Sequence, residues 1–263
     1  MQGLREKFNL LNSKGEKALI AYLMVGYPDY ESSIRAIETV LSAGVDILEL
    51  GFPFSDPVAD GPTIQLAHES AIKNGIRAEH VFTASKTIKE KFPDVPILLM
   101  TYYNPIFRIG QERFCDMSLE SGIEGFIVPD LPPEECDPLK EVANKRGLSL
   151  VMLASPTSTE KRLRLICEKS DGMVYFVSIT GTTGARSELP IEELRGNIER
   201  FRKACDKPVV VGFGVSTGEH SRKISEFADG VVVGSLLVKL SAERRFEDLH
   251  EKVRELKEGT IIK

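Results

Sequence analysis

The chain contains no tryptophan, few cysteines and no excess of basic residues. Its histidines are scattered and form no H-E-x-x-H pair, and its cysteines form no C-x-x-C, so a metal site is not expected. The net charge of −5 argues against a nucleic-acid-binding protein, which usually carries a basic face. No apolar run approaches the ~20 residues of a membrane span. Metal, nucleic-acid and membrane partners are therefore not expected.

The four cysteines are Cys115, Cys136, Cys167 and Cys205. All of them lie in or near segments with helical periodicity, and they are interpreted as small buried or half-buried side chains in a reducing cytosol. The charged segment 1–7 is followed by no long apolar stretch, which predicts that no signal peptide is present. A cytoplasmic protein is expected.

Eight short apolar runs, many of them β-branched, recur along the chain. They begin at residues 18, 46, 96, 125, 149, 173, 208 and 230. The runs are continuous rather than alternating, which is typical of parallel strands buried on both faces. Because segments with helical periodicity lie between them, the pattern predicts a single α/β domain, a (β/α)8 TIM barrel over residues 1–263. A doubly wound open sheet is the alternative, which periodicity leaves open.

The spacing between runs is longest after the second and the sixth, which predicts extended loops at these two places. In a TIM barrel, the loops that leave the C-terminal ends of the strands build the active site. The first extended loop contains residues 53–62. The second contains residues 180–190, and its Gly-Thr-Thr-Gly sequence makes it a candidate lid.

Two carboxylates near the second run are candidate catalytic residues. Glu49 stands inside the apolar run Ile47–Gly51, where burial would raise its pKa and make it a usable acid and base. The alternative is a structural carboxylate paired with Lys or Arg. Asp60 is either a second carboxylate over the barrel mouth or part of a turn that leads into a helix, with Pro62 suited to the first helical position. Asp56 is assigned to the surface or to a partner contact.

Two glycine-rich segments, Gly212–Ser216 and Gly234–Val238, follow the last two runs. Loops after strands 7 and 8 with a short helix N-terminus frequently bind phosphate in this fold, because glycine lets backbone N–H groups approach the anion. Gly184 in the sixth loop could add a third backbone contact. Close packing of glycines at strand ends is the alternative.

Large apolar and aromatic side chains lie in or just beyond the runs. They are Tyr22, Met100, Tyr102, Tyr175 and Phe213. Each of them alone is typical of a barrel core. Together they could line a flat apolar slot that accepts an aromatic ring.

The segment Glu49–Gln65 resembles the signature of the tryptophan synthase alpha subunit family, and the resemblance extends over essentially the whole chain. The supporting segments are Gly26–Asp29, Tyr102–Pro105, Pro129–Pro132, Thr183–Arg186, Gly212–Gly214 and Val233–Ser235.

This resemblance implies a lyase of tryptophan biosynthesis that splits indole-3-glycerol phosphate by a retro-aldol reaction into indole and glyceraldehyde 3-phosphate. By matching position, Glu49 would protonate the indole ring carbon and take the hydroxyl proton, and Asp60 would hold or deprotonate the ring N–H. The residues implied at the phosphate are Gly184, Gly214, Gly234 and Ser235, with Gly212 and Phe213 beside them. Those implied around the indole are Tyr22, Met100, Tyr102, Tyr175 and Thr183.

The resemblance also implies a partner, a pyridoxal-phosphate beta subunit that receives the indole in an alpha-beta-beta-alpha assembly. Since the cofactor belongs to that partner, this chain is expected to bind none. The interface would include Asp56 with its neighbours, Asn104–Pro105 and Pro129–Pro132.

The chain departs from the family pattern in three places. Tyr22 stands where many members have Phe, Met100 where many have Leu, and Ile179–Thr180 where many bacterial members have Arg-Ala. Two alternative functions are a phosphoribosyl isomerase-type phosphate-binding barrel and a non-catalytic regulatory barrel subunit. The carboxylate-bearing loop after the second run argues against the first, and the pair Glu49 and Asp60 argues against the second.

Overall fold

The computed structural model describes residues 3–177, 190–212 and 214–262, and within them eight parallel strands close into a barrel. The strands are β1 (Ala18–Met24), β2 (Ile47–Gly51), β3 (Ile97–Met100), β4 (Gly125–Ile127), β5 (Ser149–Ala154), β6 (Val174–Val177), β7 (Val209–Gly212) and β8 (Gly230–Val233). Each strand pairs with the next along the chain, and β8 pairs with β1. The predicted TIM barrel is confirmed, since this last pairing excludes an open sheet.

Helices connect the strands and flank the barrel. They are α1 (Leu4–Ser13), α2 (Tyr30–Ser42), α3 (Pro62–Lys73), α4 (Ala78–Lys91), α5 (Tyr103–Ile109), α6 (Gln111–Glu120), α7 (Asp137–Asn144), α8 (Glu160–Lys169), α9 (Ile191–Arg202), α10 (Gly218–Ser225), α11 (Ser235–Ala242) and α12 (Phe246–Glu258). None of the described helices is long and apolar enough to span a membrane.

The strands are apolar because both of their faces are buried. One face packs against the helices, and the other fills the barrel interior with side chains such as Ile20, Ile47 and Val210. Because successive side chains of a strand alternate between its faces, Ile47 and Glu49 share the interior face of β2. The alternation of side chains along β2 therefore places the Glu49 side chain inside the barrel.

The N-terminal helix α1 closes the end of the barrel at which the strands begin. Leu4, Phe8 and Leu11 lie on one face of α1 and are buried. They pack with interior strand residues, Ile20 and Ile47 among them. This helix has no counterpart in the expectations from sequence. It leaves the opposite end, where the strands finish, as the accessible mouth.

The extended segment predicted after the second strand consists of a short loop and an additional helix. The loop covers residues 52–61, and α3 and α4 follow it before β3 begins. Pro62 is the first residue of α3, as expected, and Gly61 is its N-cap. The segment predicted as extended after the sixth strand falls largely on residues 178–189, outside the described residues, and so does the candidate lid.

The cysteines differ from the expectation. Cys115 and Cys136 are free and buried, whereas Cys167 and Cys205 form a disulfide. The interpretation of all four as separate small side chains is therefore wrong for this pair. Helices α8 and α9 are neighbours, and the two Cα atoms lie 5.5 Å apart. Cys167 lies in α8 and Cys205 follows the end of α9, and helical periodicity carries no information on which residues of two such neighbouring segments meet.

Candidate active site at the barrel mouth

Glu49 lies in β2 and points into the barrel. In register it lies beside Tyr22 of β1 and Leu98 of β3. The residue is only 1% exposed, and neither carboxylate oxygen has a hydrogen-bond partner within the described residues. Burial without a partner disfavours the ionised form and raises the pKa of Glu49 to about 8.

A carboxyl group with this pKa is protonated at neutral pH and still ionises readily, so it is suited to both donating and accepting a proton. The alternative interpretation, a structural carboxylate, requires a Lys or Arg paired with Glu49. In the part of the chain that the structure describes, Glu49 has no such partner.

Two buried phenols lie at the same mouth. The Tyr22 hydroxyl covers Gly51 and the Tyr175 hydroxyl covers Gly212, so a Cβ at either glycine would overlap the phenol. Burial raises the pKa of each tyrosine hydroxyl well above the usual value for tyrosine. The nearby carboxyl groups of Glu49 and Asp60 raise the pKa of both hydroxyls further. Tyr22 lies beside Glu49 in register, and Tyr175 packs against the same interior residues as Met100, so the two phenols and Glu49 share one end of the barrel interior.

Asp60 stands at the end of the loop, directly before the N-cap of α3. The Tyr102 hydroxyl donates to Asp60 Oδ2 at 2.7 Å. His68 Nε2 lies 3.3 Å from the same oxygen, and the Asp60 side chain is 9% exposed. Asp60 is therefore a held, half-enclosed carboxylate, and its backbone N–H also closes a turn by donating to the Pro57 carbonyl at 3.1 Å.

The loop 52–61 contacts the end of β3 and the residues just after it at several points. The backbone N–H of Phe52 donates to the Met100 carbonyl at 2.9 Å. That of Ala59 donates to the Tyr102 hydroxyl at 3.0 Å. The Phe54 ring stacks on the Tyr102 ring with 5.1 Å between centroids. These contacts hold Asp60 over the mouth.

Met100 and Tyr102, both predicted to line the apolar slot, differ in their contacts. Met100 is half-buried at the end of β3 and packs against the barrel-interior residues that include Ile47. Tyr102 is 2% exposed, and its hydroxyl bridges Ala59 and Asp60. Tyr102 therefore has a second role, orienting a carboxylate, which its residue type alone did not indicate.

His68 was missed as a site residue because the histidines are scattered in sequence. It lies in α3 and faces inward with Ile64 and Ala71. A polar residue at a buried helical position is the signal that could have found it, since buried polar groups are hydrogen-bonded.

The glycine segments after β7 and β8 lie at the same end of the barrel. Gly234 is the N-cap of α11, and Ser235 is its first residue. This helix start has no side-chain cap and no acidic residue in its first turn. Gly214 has φ of 52°, a conformation that favours glycine. Helix N-termini with free N–H groups attract anions.

The structure thus brings together Glu49, Asp60, Tyr22, Met100, Tyr102, Tyr175, Gly212, Gly214, Gly234 and Ser235 at the ends of the strands. Three further predicted residues, Thr183, Gly184 and Phe213, lie outside the described residues, as does the departure at Ile179–Thr180.

Beside the mouth is a surface with exposed apolar side chains. Val58 is 81% exposed and Phe107 is 68% exposed. The backbone N–H of Tyr103 donates to Asp130 Oδ1 at 2.8 Å, which joins the segments around residues 103 and 130. Asp56 is exposed in the neighbouring loop. Exposed large apolar residues of this kind are typical of interaction surfaces.

The chain matches the family model described as tryptophan synthase alpha chain over residues 8–261. It is 64% identical to the tryptophan synthase alpha chain of Aquifex aeolicus over 98% of this chain and 99% of the relative. It is 47% identical to that of Methanocaldococcus jannaschii over 90% of this chain and 84% of the relative.

Solved structures show the same similarity. A structure of Mycobacterium tuberculosis tryptophan synthase matches with a TM-score of 0.92 at 35% identity, covering 99% of this chain and 98% of that chain. The tryptophan synthase subunit alpha of Legionella pneumophila matches with a TM-score of 0.90 at 31% identity, covering 98% of this chain and 97% of that chain. The similarity therefore spans the barrel from end to end.

Proposed function

The chain belongs to the tryptophan synthase alpha chain family, and from that premise we propose how its residues divide the work of the reaction. The activity is that of a carbon–carbon lyase, which cleaves indole-3-glycerol phosphate by a retro-aldol reaction into indole and glyceraldehyde 3-phosphate. The assignment of roles is carried by one observation: the carboxyl group of Glu49 is buried at the mouth and has no hydrogen-bond partner among the described residues.

The reaction moves protons without any net gain or loss. A proton is added to the indole ring carbon that carries the glycerol chain, and the ring N–H proton is held or transiently removed. The hydroxyl on the adjacent side-chain carbon then loses its proton, and the carbon–carbon bond breaks. Its electrons return to the ring, and the side chain leaves as an aldehyde. One acid that becomes a base, and one acceptor for the N–H, are sufficient.

Glu49 is proposed as that acid and base. With a pKa of about 8 it begins protonated at neutral pH and donates to the ring carbon. The carboxylate that forms is buried and has no hydrogen-bond partner in the part of the chain that the structure describes, so it regains a proton readily and takes it from the hydroxyl. The same group therefore serves both steps and ends as it began.

Asp60 is proposed to hold the ring N–H. The Tyr102 hydroxyl occupies one of its oxygens at 2.7 Å, which orients the carboxylate. Met100, Tyr22 and Tyr175 would frame the indole ring, together with Thr183. A flat apolar slot of this kind restricts the orientation of the indole ring.

The phosphate is proposed to bind the backbone at the start of α11, at Gly234 and Ser235, with Gly212 and Gly214 from the neighbouring segment. The uncapped helix start and the positive φ of Gly214 support this site. Gly184 and Phe213 complete the proposed set from sequence. The anchor fixes the end of the substrate that does not react.

The remaining proposals concern the wider setting. Residues 1–263 are proposed to form one catalytic domain in the cytoplasm that binds no cofactor of its own. A beta subunit carrying pyridoxal phosphate would receive the indole in an alpha-beta-beta-alpha assembly. The exposed side chains Val58 and Phe107, beside Asp56 and the Asn104–Pro105 and Pro129–Pro132 segments, support a partner surface there.

The test is an indole-release assay on Glu49→Gln. The general acid–base contribution predicts a loss of at least ~10²–10⁴-fold in kcat, because the amide neither donates nor accepts the proton in transit. An uncleavable indole phosphate lacking the side-chain hydroxyl should bind the variant as it binds the parent. Activity near that of the parent would remove Glu49 from the mechanism. Release of indole by the parent separates this function from an isomerase and from a regulatory barrel.

A further inference from the structure

His68 connects the loop 52–61 to the helix that follows it. The residue is 3% exposed. Its Nδ1 accepts a hydrogen bond from the backbone N–H of Phe54 at 3.0 Å. Its Nε2 lies 3.3 Å from Asp60 Oδ2. One imidazole therefore contacts both an early and a late residue of the loop.

We propose that His68 is a positioning residue for Asp60, which sets the direction in which that carboxylate meets the indole N–H. This inference rests on the proposed role of Asp60 in binding the ring nitrogen. His68 itself does not touch the substrate.

The hydrogen bond from Phe54 determines where the imidazole carries its proton. A neutral imidazole has one N–H and one acceptor nitrogen. Because Nδ1 accepts from the Phe54 backbone N–H, the proton is on Nε2. That N–H is the group beside Asp60 Oδ2. The Phe54 contact thus gives His68 a donor on the side of the carboxylate.

Two donors then converge on one oxygen of Asp60. The Tyr102 hydroxyl lies 2.7 Å from Oδ2, and His68 Nε2 lies 3.3 Å from it. Among the residues that the structure describes, none donates to Oδ1. The carboxylate is therefore turned so that Oδ1 is available to an incoming N–H, while Oδ2 is held by the protein.

The aromatic rings around the pair keep the imidazole in place. His68 meets the Tyr102 ring edge-on, with 6.1 Å between centroids, and the Phe54 ring stacks on the same Tyr102 ring at 5.1 Å. His68, Tyr102 and Phe54 form one cluster, and two of its members contact Asp60. A substitution at His68 is therefore expected to change the direction of the Asp60 carboxylate and to leave the strands of the barrel in place.

Three substitutions separate the two contacts of the imidazole. His68→Gln places an amide N–H near the Nε2 position and keeps a donor for Asp60. His68→Asn reaches only the Nδ1 position and keeps an acceptor for Phe54. His68→Leu keeps the bulk and removes both. All three are assayed as the full chain for indole release, with circular dichroism as the measure of folding.

We expect His68→Leu to lower kcat by about 10- to 100-fold, as a misdirected reacting group does, with KM for indole-3-glycerol phosphate changed by less than about threefold. His68→Gln should retain more of kcat than His68→Asn, even if His68→Leu folds poorly. A ranking with Asn equal to or above Gln would overturn the inference, since it would assign the role to the Phe54 contact. A change in KM alone would overturn it as well.

The variant Asp60→Asn, measured in the same assay, separates this inference from the proposed function. If Asp60→Asn is as active as the parent, the proposed role of Asp60 fails, and the inference fails with it. If Asp60→Asn loses activity while His68→Leu retains that of the parent, only the role of His68 is wrong.

Discussion

At the scale of single residues, the site is built from groups in surroundings that oppose their charge. Glu49 is buried and has no hydrogen-bond partner among the described residues, Tyr22 is its neighbour in register, and Tyr175 is a second buried phenol at the mouth. Burial that raises the pKa of a carboxyl group also destabilises the folded protein wherever the unfolded chain would ionise that group. Burial of Glu49 therefore both raises its pKa, which suits it to proton transfer, and lowers the stability of the folded protein.

This cause predicts how the stability of Glu49→Gln depends on pH. Below about pH 4.5 the carboxyl is protonated in both the folded and the unfolded chain, and it contributes nothing. As the pH rises from about 4.5 to about 8, only the unfolded chain ionises, so the parent loses stability. At about 1.4 kcal/mol per unit of pKa shift, the loss reaches a few kcal/mol.

The variant should therefore gain stability relative to the parent across this pH interval, and the gain should level off above it. Urea unfolding at several pH values measures the difference. Glu251→Gln, at an exposed position of α12, is the control and should show little dependence on pH. A difference between parent and Glu49→Gln that stays flat with pH would mean that Glu49 is ionised in the folded protein.

At the scale of elements, the sequence predicted those strand bounds and helix starts that are determined by residues close to one another in the chain. The bounds of β1 and β8 agree with the predicted runs, because continuous apolar stretches reflect burial on both faces. The start of α3 at Pro62 was also predictable. The His68 contacts were not, since they join a helix position to a loop that no periodicity describes.

The start of α11 allows the phosphate site to be tested without disturbing the helix. A Cβ at Gly234 would lie 3.5 Å from Tyr22 Cβ, an ordinary contact, so Gly234→Ala fits. Gly234→Asp adds a carboxylate at the N-cap, which favours the helix but repels an anion. We expect Gly234→Asp to raise KM for the phosphate ester by more than about tenfold and to leave the thermal midpoint equal or higher.

Gly234→Ala is the matched control and should change KM far less. The binding of free indole should be similar in both variants, because indole carries no phosphate. If Gly234→Asp has the KM of the parent, the phosphate does not bind at α11.

The disulfide gives a second prediction at this scale. It joins Cys167 of α8 to Cys205 after α9, across a sequence separation of 38 residues. Closing a loop of that length lowers the entropy of the unfolded chain by an amount worth about 4 kcal/mol. Reduction should therefore lower the free energy of unfolding by up to that amount and leave kcat nearly unchanged, since the bond lies outside the barrel mouth.

Urea unfolding with and without a thiol reductant measures the effect. The double variant Cys167→Ala with Cys205→Ala should be as stable as the reduced parent and indifferent to the reductant. Equal stability of the parent under both conditions would show that the bond does not form in solution.

At the scale of the whole molecule, the two ends of the chain meet at the closed end of the barrel. The backbone N–H of Lys17 donates to the Thr260 carbonyl at 2.8 Å, and that of Ile262 donates to the Gly15 carbonyl at 2.8 Å. The pairing of distant segments leaves no local trace in sequence, which explains why this closure and the helix α1 were not predicted. The open mouth and the closed end are thus maintained by separate parts of the chain.

A single lysine of α12 joins this closure to the barrel. Lys257 Nζ lies 2.9 Å from Asp46 Oδ2 and 2.8 Å from Glu16 Oε2. The backbone N–H of Leu19 donates to the same Asp46 oxygen at 2.8 Å. Burial raises the pKa of Asp46 even though Lys257 opposes it. Removal of the lysine therefore leaves a buried carboxylate without its cation.

We expect Lys257→Met to destabilise the protein by about 3 kcal/mol, because breaking one side of a buried pair exposes the remaining charge to its full desolvation cost. Asp46→Asn in the same chain should recover much of that loss, since the amide oxygen still accepts from Leu19 and carries no charge. The control is Lys73→Met, which breaks the pair with Glu69 between two largely exposed side chains and should cost less than about 1 kcal/mol. The kcat of folded Lys257→Met should equal that of the parent, because Glu49 lies toward the opposite end of the barrel. A loss no larger than that of Lys73→Met, or no recovery by Asp46→Asn, would show that the pair does not hold the closed end.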